Sequence, residues 1–128
     1  MSRTVLLIED NEQNRYLATF LLERHGYTVV AAPDGPQGVA LAESLAPDLI
    51  LLDIQLPGMD GYAVARALRG IAMLQVTPII AVTSYAMVGD REKSLAAGCD
   101  GYIEKPINPE TFVAEIEHVC AATSGKPE

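Results

Sequence analysis

Pro47-Asp-Leu-Ile-Leu-Leu-Asp53-Ile-Gln-Leu-Pro57-Gly-Met-Asp-Gly61 is the stretch whose reading decides the fold. Leu49 to Leu52 is an unbroken apolar run, short enough for a strand and bounded by Pro47-Asp48. A run without alternation indicates a strand buried on both faces, as in the middle of a parallel sheet. It ends on the carboxylate of Asp53, and a Pro57-Gly58 turn comes after it. An ionised Asp at the tip of a buried strand is costly unless something pairs with it. Taken alone, Asp53 reads equally well as a loop or helix cap, so the ends of the other strands decide.

Working outward, Thr4 to Ile8 is a first buried strand, with Glu9-Asp10-Asn11 directly after it. A helix begins there, with Asn11 as N-cap, Tyr16, Leu17, Phe20 and Leu21 at helical spacing, Gly26 just past its end and His25 near its negative pole. Tyr27 to Ala31 is a second strand, and Asp34-Gly35-Pro36 opens a second helix with Val39, Ala40 and Leu41 on its buried side. After the central strand, Gly61 to Gly70 forms a third helix with Val64, Ala67 and Leu68 inward. Pro78 introduces a fourth strand, Ile79 to Val82, ending at Thr83-Ser84, and a fourth helix runs from about Met87 to Ala97. Tyr102-Ile103 is a brief fifth strand closed by Glu104-Lys105-Pro106, and Asn108-Pro109-Glu110 starts a last helix with Phe112, Ile116 and Val119 on its core face.

Five short strands alternating with five helices imply parallel βαβ units with right-handed crossovers. The expected architecture is α/β: a doubly wound five-stranded parallel sheet in the flavodoxin-like order 2-1-3-4-5. The expected organisation is one domain over 1–122 and a frayed polar tail over 123–128.

Composition narrows the function. The 128 residues carry 9 basic and 17 acidic side chains, a net charge of −8. No basic stripe is left to neutralise a phosphate backbone, which excludes nucleic acid as the expected partner. Cys99 and Cys120 are too few for a disulfide framework and read as packing residues of a reducing compartment. The apolar run Val5 to Ile8 is cut short by Glu9-Asp10, so it is neither a signal peptide nor a membrane span. The expectation is a soluble cytoplasmic domain with no membrane contact. His25 and His118 lack metal-ligand spacing.

The strand ends carry the chemistry. Strand 1 supplies Glu9 and Asp10, strand 3 Asp53, strand 4 Thr83 and strand 5 Lys105. The fold brings all of them to one edge, with strands 1 and 3 side by side. Like charges about 4 Å apart repel by roughly 4 kcal/mol at an effective dielectric near 20. A divalent cation removes the conflict, and a small set of oxygen ligands favours Mg²⁺. Acids on a metal beside an ammonium and a hydroxyl suit a phosphoryl group, and an Asp can itself accept it. Singly, Asp10 reads as a first-turn acid, Thr83 as a strand-end hydroxyl, Lys105 as a turn lysine and Tyr102 as a half-buried strand aromatic. Their joint placement at four of five strand ends argues for a site.

Glu9-Asp10-Asn11, the segment Asp53 to Gly61, Val82-Thr83-Ser84-Tyr85-Ala86 and Tyr102-Ile-Glu-Lys105-Pro106 resemble the receiver domain of two-component response regulators, from about Val5 to Val119. The resemblance implies that Asp53 accepts a phosphoryl group from a histidine kinase or histidine phosphotransfer protein. It implies Mg²⁺ held by Asp10, Asp53 and the Gln55 backbone carbonyl, with Glu9 acting partly through water. Lys105 would pair with phosphoryl oxygens, Thr83 and Tyr102 would form the switch, and Lys105-Pro106 would be cis. The output face would be helix 4, strand 5 and helix 5, serving an unknown downstream protein. The first helix, with Asn14 and Arg15 exposed, resembles the kinase-docking side. Gln55 and Tyr85 stand where phosphoryl lifetime is tuned. Residues 86–91 resemble receivers of hybrid kinases and of stand-alone DivK-like regulators. A complete gene product would be a stand-alone regulator, monomeric or weakly dimeric on phosphorylation. The other forms are a receiver detached from a hybrid histidine kinase and a pseudo-receiver that only docks.

Such a protein is a signalling switch, not an enzyme on a separate substrate. A phosphohydrolase using an aspartyl phosphate carries a second Asp two residues after the nucleophile, where this chain has Gln55. A flavodoxin-type carrier needs a Ser/Thr/Gly-rich loop after strand 1, where this chain has Glu-Asp-Asn-Glu.

Overall fold

The computed structural model describes residues 3–56, 59–83 and 89–124. The elements run β1 (Thr4–Ile8), α1 (Glu12–Arg24), β2 (Thr28–Ala32), α2 (Gly35–Leu45), β3 (Leu49–Asp53), α3 (Gly61–Arg69), β4 (Ile79–Thr83), α4 (Asp90–Ala96), β5 (Gly101–Glu104) and α5 (Phe112–Ser124). The main sheet has the order β2-β1-β3-β4-β5, every pairing parallel. This is the doubly wound order expected from the alternation of strands and helices.

The apolar strands lack alternation because the sheet serves two cores. Val5, Leu7, Leu49, Leu51, Ile80 and Val82 pack with α1 and α5. Leu6, Ile8, Ile50, Leu52, Ile79 and Ala81 pack with residues of α2 and α3 and with Ala97 and Cys99 beyond α4. Adjacent side chains on a strand point to opposite faces, and here both faces are dry. Both cysteines are free and buried, and burial pushes the Cys99 thiol up to about 12, so they act as packing groups.

Helix ends obey their local chemistry. Asn14 N–H donates to the Asn11 side chain at 2.9 Å, and Gln37 N–H to that of Asp34 at 2.9 Å, each satisfying an amide that a helix start leaves without a partner. Gly26 has φ 89°, the left-handed conformation that suits glycine after a helix. Gly61 is required for another reason: a Cβ there would land on the Ile54 backbone, whose carbonyl accepts Gly61 N–H at 3.1 Å. Between them, Gln55–Leu56 pairs antiparallel with Met59–Asp60, a small ribbon the sequence did not announce.

Three faces depart from expectation. In α1 the buried residues are Ala18, Leu21 and Leu22, whereas Tyr16 is 73% and Phe20 46% exposed. The rings stack on each other at 6.5 Å, and the Arg24 guanidinium lies 5.6 Å from the Phe20 centroid. In α3 it is Ala65, not Ala67, that faces the core, and in α2 Ala42 is buried while Ala40 is exposed. The last helix starts at Phe112, because Asn108 first forms a turn: its side chain accepts Glu110 N–H and its carbonyl accepts Thr111 and Phe112 N–H. At its other end α5 continues through Thr123 and Ser124, into the stretch expected to be tail, and 125–128 lie outside the described residues. The Pro57-Gly58 turn and the start of the fourth helix at Met87 also lie outside them.

The edge opposite the strand C-termini is tied by Arg69. Its guanidinium donates to the carbonyls of Gly98 (2.9 Å), Leu74 (2.7 Å) and Thr77 (2.8 Å) and pairs with Asp100, which also accepts Ile79 N–H at 3.0 Å. One cation thus joins the end of α3 to the approaches of β4 and β5. Removing one partner of such a pair strands the rest. Arg69→Met is expected to lower stability by about 3 kcal/mol in urea denaturation. A loss below about 1 kcal/mol would mean that water replaces the guanidinium without cost.

Candidate phosphoryl-acceptor and metal site

The parallel pairing sets the geometry of the C-terminal edge. Ile8 pairs with Leu52, Asp53 with Val82 and Thr83 with Glu104, so the residues at or just past these strand ends share one rim. Glu9, Asp10, Asp53, Thr83 and Lys105 all come from that rim. Glu9, Asp10 and Asp53 each present a carboxylate oxygen within 4.8 Å of the others. Glu9 and Asp53 are buried, each 3% exposed, while Asp10 faces outward.

Lys105 fills the centre. Its Nζ lies 2.7 Å from Glu9 Oε1 and 3.4 Å from Asp53 Oδ2. The other oxygen of Asp53, Oδ1, accepts the Gln55 backbone N–H at 2.9 Å. Lys105 comes after β5 and precedes Pro106 across a cis peptide bond, as the resemblance implied. Its own N–H donates to the Thr83 carbonyl at 2.7 Å, tying the ends of β4 and β5 together.

The Asp53 carboxyl is pushed up to about 6, first by burial and then by hydrogen bonding to Glu9, against the opposing Gln55 N–H and the Lys105 charge. A buried acid of this kind ionises reluctantly until more positive charge arrives. The donor set suits such a charge: three carboxylates, no sulfur or imidazole, and an outward side at Asp10 fit Mg²⁺, which keeps several waters.

Thr83 is buried at the tip of β4. Tyr102 stands on β5, paired with Ala81, half-buried against the core on the α3 side. The Arg91 guanidinium of α4 lies 5.8 Å from its ring centroid. Tyr85, expected with Gln55 to flank the site, lies outside the described residues, as does Ser84 after the expected switch Thr. Arg15, expected in solvent, instead turns inward: its Nη1 donates to the Glu9 carbonyl at 2.9 Å and the Asp10 carbonyl at 3.3 Å. No short motif announces that contact, since it depends on how the helix leaves the acidic turn.

Comparisons agree with this geometry. The family model described as the response regulator receiver domain matches residues 5–117. The polar-differentiation response regulator DivK of Brucella ovis is 41% identical over 117 residues, 91% of this chain and 95% of that one. The chemotaxis response regulator CheY4 of Vibrio cholerae has a TM-score of 0.89 at 29% identity, covering 93% of this chain and 99% of that one. A receiver domain of a sensor histidine kinase from Pseudomonas aeruginosa has a TM-score of 0.84 at 36% identity, covering 98% and 100% of the two chains. That structure holds a magnesium ion coordinated in its active site cleft. With five parallel strands in the doubly wound order and a carboxylate cluster on their C-terminal rim, the chain belongs to the response regulator receiver domain family.

Proposed function

We propose that this chain is a phosphoacceptor switch in which Asp53 takes a phosphoryl group from a phosphohistidine of a kinase or phosphotransfer protein, in a Mg²⁺-dependent reaction. The observation that carries the proposal is Asp53 itself: buried at a strand tip, in a cluster of three acids, and facing the Lys105 ammonium at 3.4 Å. Glu9, Asp10 and Asp53, with the Gln55 carbonyl, would hold Mg²⁺, which when bound supplies positive charge against the phosphoryl oxygens. The Asp53 carboxylate attacks phosphorus, an acyl phosphate forms, and the bond to the donor imidazole breaks. Gln55 N–H holds one Asp53 oxygen and so fixes the direction of attack.

The product adds about −1.5 to −2 charges and three acceptor oxygens. Lys105, now shared between Glu9 and Asp53, turns toward those oxygens. The Thr83 hydroxyl moves to them from the adjacent strand tip. Because Lys105 N–H bonds the Thr83 carbonyl, a shift at β4 carries into β5. Tyr102 and the Arg91 charge above it transmit that shift to α4. An open groove of about 610 Å³ over β5 and α5, lined by Arg91, Tyr102, Ile103, Thr111 and His118 among others, supports this as the face read by a protein partner. Among the described residues no helix is long and apolar enough to cross a membrane. The proposal includes a cytoplasmic location and a protein, not nucleic-acid, partner.

Intact-mass spectrometry after incubation with acetyl phosphate tests the acceptor. Wild type is expected to gain a phosphoryl adduct only with Mg²⁺, and Asp53→Asn none. No adduct on wild type, with rapid hydrolysis checked by quenching at short times, would point to a docking module that is never phosphorylated.

The raised Asp53 carboxyl also sets a pH dependence. Its folded pKa of about 6 lies above the ordinary 3.8, so the folded state holds a proton there that the unfolded state has released. In chelator, that contribution to stability is present below pH 3.8 and is lost as pH rises through about 6. Asp53→Asn, which keeps the shape without the charge, is therefore expected to raise the melting temperature more at about pH 7 than at about pH 4.5. An equal gain at both values would show that Asp53 ionises in the fold as easily as in water.

A further inference from the structure

Asp53 ends a strand, but the other two acids of the rim, Glu9 and Asp10, sit on irregular backbone. β1 ends at Ile8 and α1 begins at Glu12, with Asn11 as its cap, leaving Glu9 and Asp10 between the strand and the helix. Several ties hold this turn. Glu9 N–H donates to the Ala32 carbonyl of β2 at 3.0 Å. Asn11 N–H donates to Glu9 Oε2 at 3.3 Å. Another is Arg15, whose Nη1 reaches back from the first turn of α1 to the carbonyls of Glu9 and Asp10 at 2.9 and 3.3 Å. Arg15 N–H also donates to the Asn11 carbonyl at 2.9 Å, so backbone and side chain of one residue close the turn from the same side.

A guanidinium is an odd group to place there if charge alone mattered. It is a fixed positive charge beside acids that would hold a cation, and it opposes a second positive charge at short range. Its hydrogen bonds at this turn run to carbonyl oxygens rather than to the carboxylates, so they brace the backbone. We propose that Arg15 is a positioning residue for divalent-cation binding: it fixes the Glu9–Asp10 backbone so that both carboxylates stand ready on the rim. This rests on the proposal that the acids hold Mg²⁺. Groups behind metal ligands are worth about 10- to 100-fold in affinity when they orient the ligands.

The two effects of removing Arg15 have opposite signs. Loss of charge tightens cation binding, and loss of positioning weakens it. The test is a ¹⁵N amide titration of the full chain with MgCl₂, comparing wild type, Arg15→Gln, Arg15→Met, Arg15→Lys and Arg24→Met. Arg24→Met removes the same charge from the same helix, at a guanidinium that lies over Phe20. Arg15→Met is expected to bind Mg²⁺ about tenfold more weakly, with Glu9, Asp10 and Asn11 amides broadened or shifted before any metal is added. Arg15→Gln and Arg15→Lys, each able to donate to one carbonyl, are expected to fall between it and wild type, and Arg24→Met to match wild type. Should Arg15→Met not fold, the Gln and Lys variants carry the comparison. Mg²⁺ affinity unchanged or tighter in the Arg15 variants overturns the positioning role while leaving the metal site intact. Wild type that binds no Mg²⁺ overturns both.

Discussion

One ammonium between two buried acids is the constraint on which the functional rim depends. Glu9 and Asp53 stand at the ends of neighbouring strands, each nearly free of solvent, and two such charges left alone would be expelled or neutralised. Lys105 reaches in from beyond β5 and contacts both. The arrangement is stable without being satisfied. Burial, with the hydrogen bond to Glu9, keeps the Asp53 carboxyl raised to about 6 in spite of the Lys105 charge. In the proposed function, a metal ion and a phosphoryl group together would supply a new balance, with Lys105 the group both states compete for. Opening that competition is what would turn a static ion cluster into the proposed switch.

The two edges of the sheet divide the labour. The C-terminal rim collects Glu9, Asp10, Asp53, Thr83 and Lys105, where like charges crowd together around one ammonium. The opposite edge is fastened by Arg69, whose guanidinium meets carbonyls of Leu74, Thr77 and Gly98 and the carboxylate of Asp100. There each of these polar groups has a partner. A parallel sheet makes this separation natural, since all strands begin at one edge and end at the other.

The sheet and the rim were legible in the sequence for the same reason. Strands buried on both faces read as short apolar runs, and the residues just past each run must stand at the same edge. Helix faces were harder. In α1, Tyr16, Leu17, Phe20 and Leu21 fit one stripe, but Ala18, Leu21 and Leu22 fit another, and packing against α5 selected the second. Tyr16 and Phe20 then found each other and Arg24 in place of a core. Long cationic side chains were harder still. Arg15 looked like a solvent residue and Arg69 drew no notice, because all but one of their partners, Asp100, are backbone carbonyls, and a carbonyl leaves no mark in a sequence.

The sheet that separates two cores also separates their energetics. Leu51 and Leu52 are neighbours in the chain, yet Leu51 belongs to the layer of Phe112 and Ile116, and Leu52 to that of Val64 and Leu68. Coupling between substitutions tracks shared contacts, not adjacency in sequence. Repacking under α1 and α5 is thus free to drift without compensation beneath α2 and α3. The acids at the strand tips answer to both layers, and at that rim the two histories have to agree.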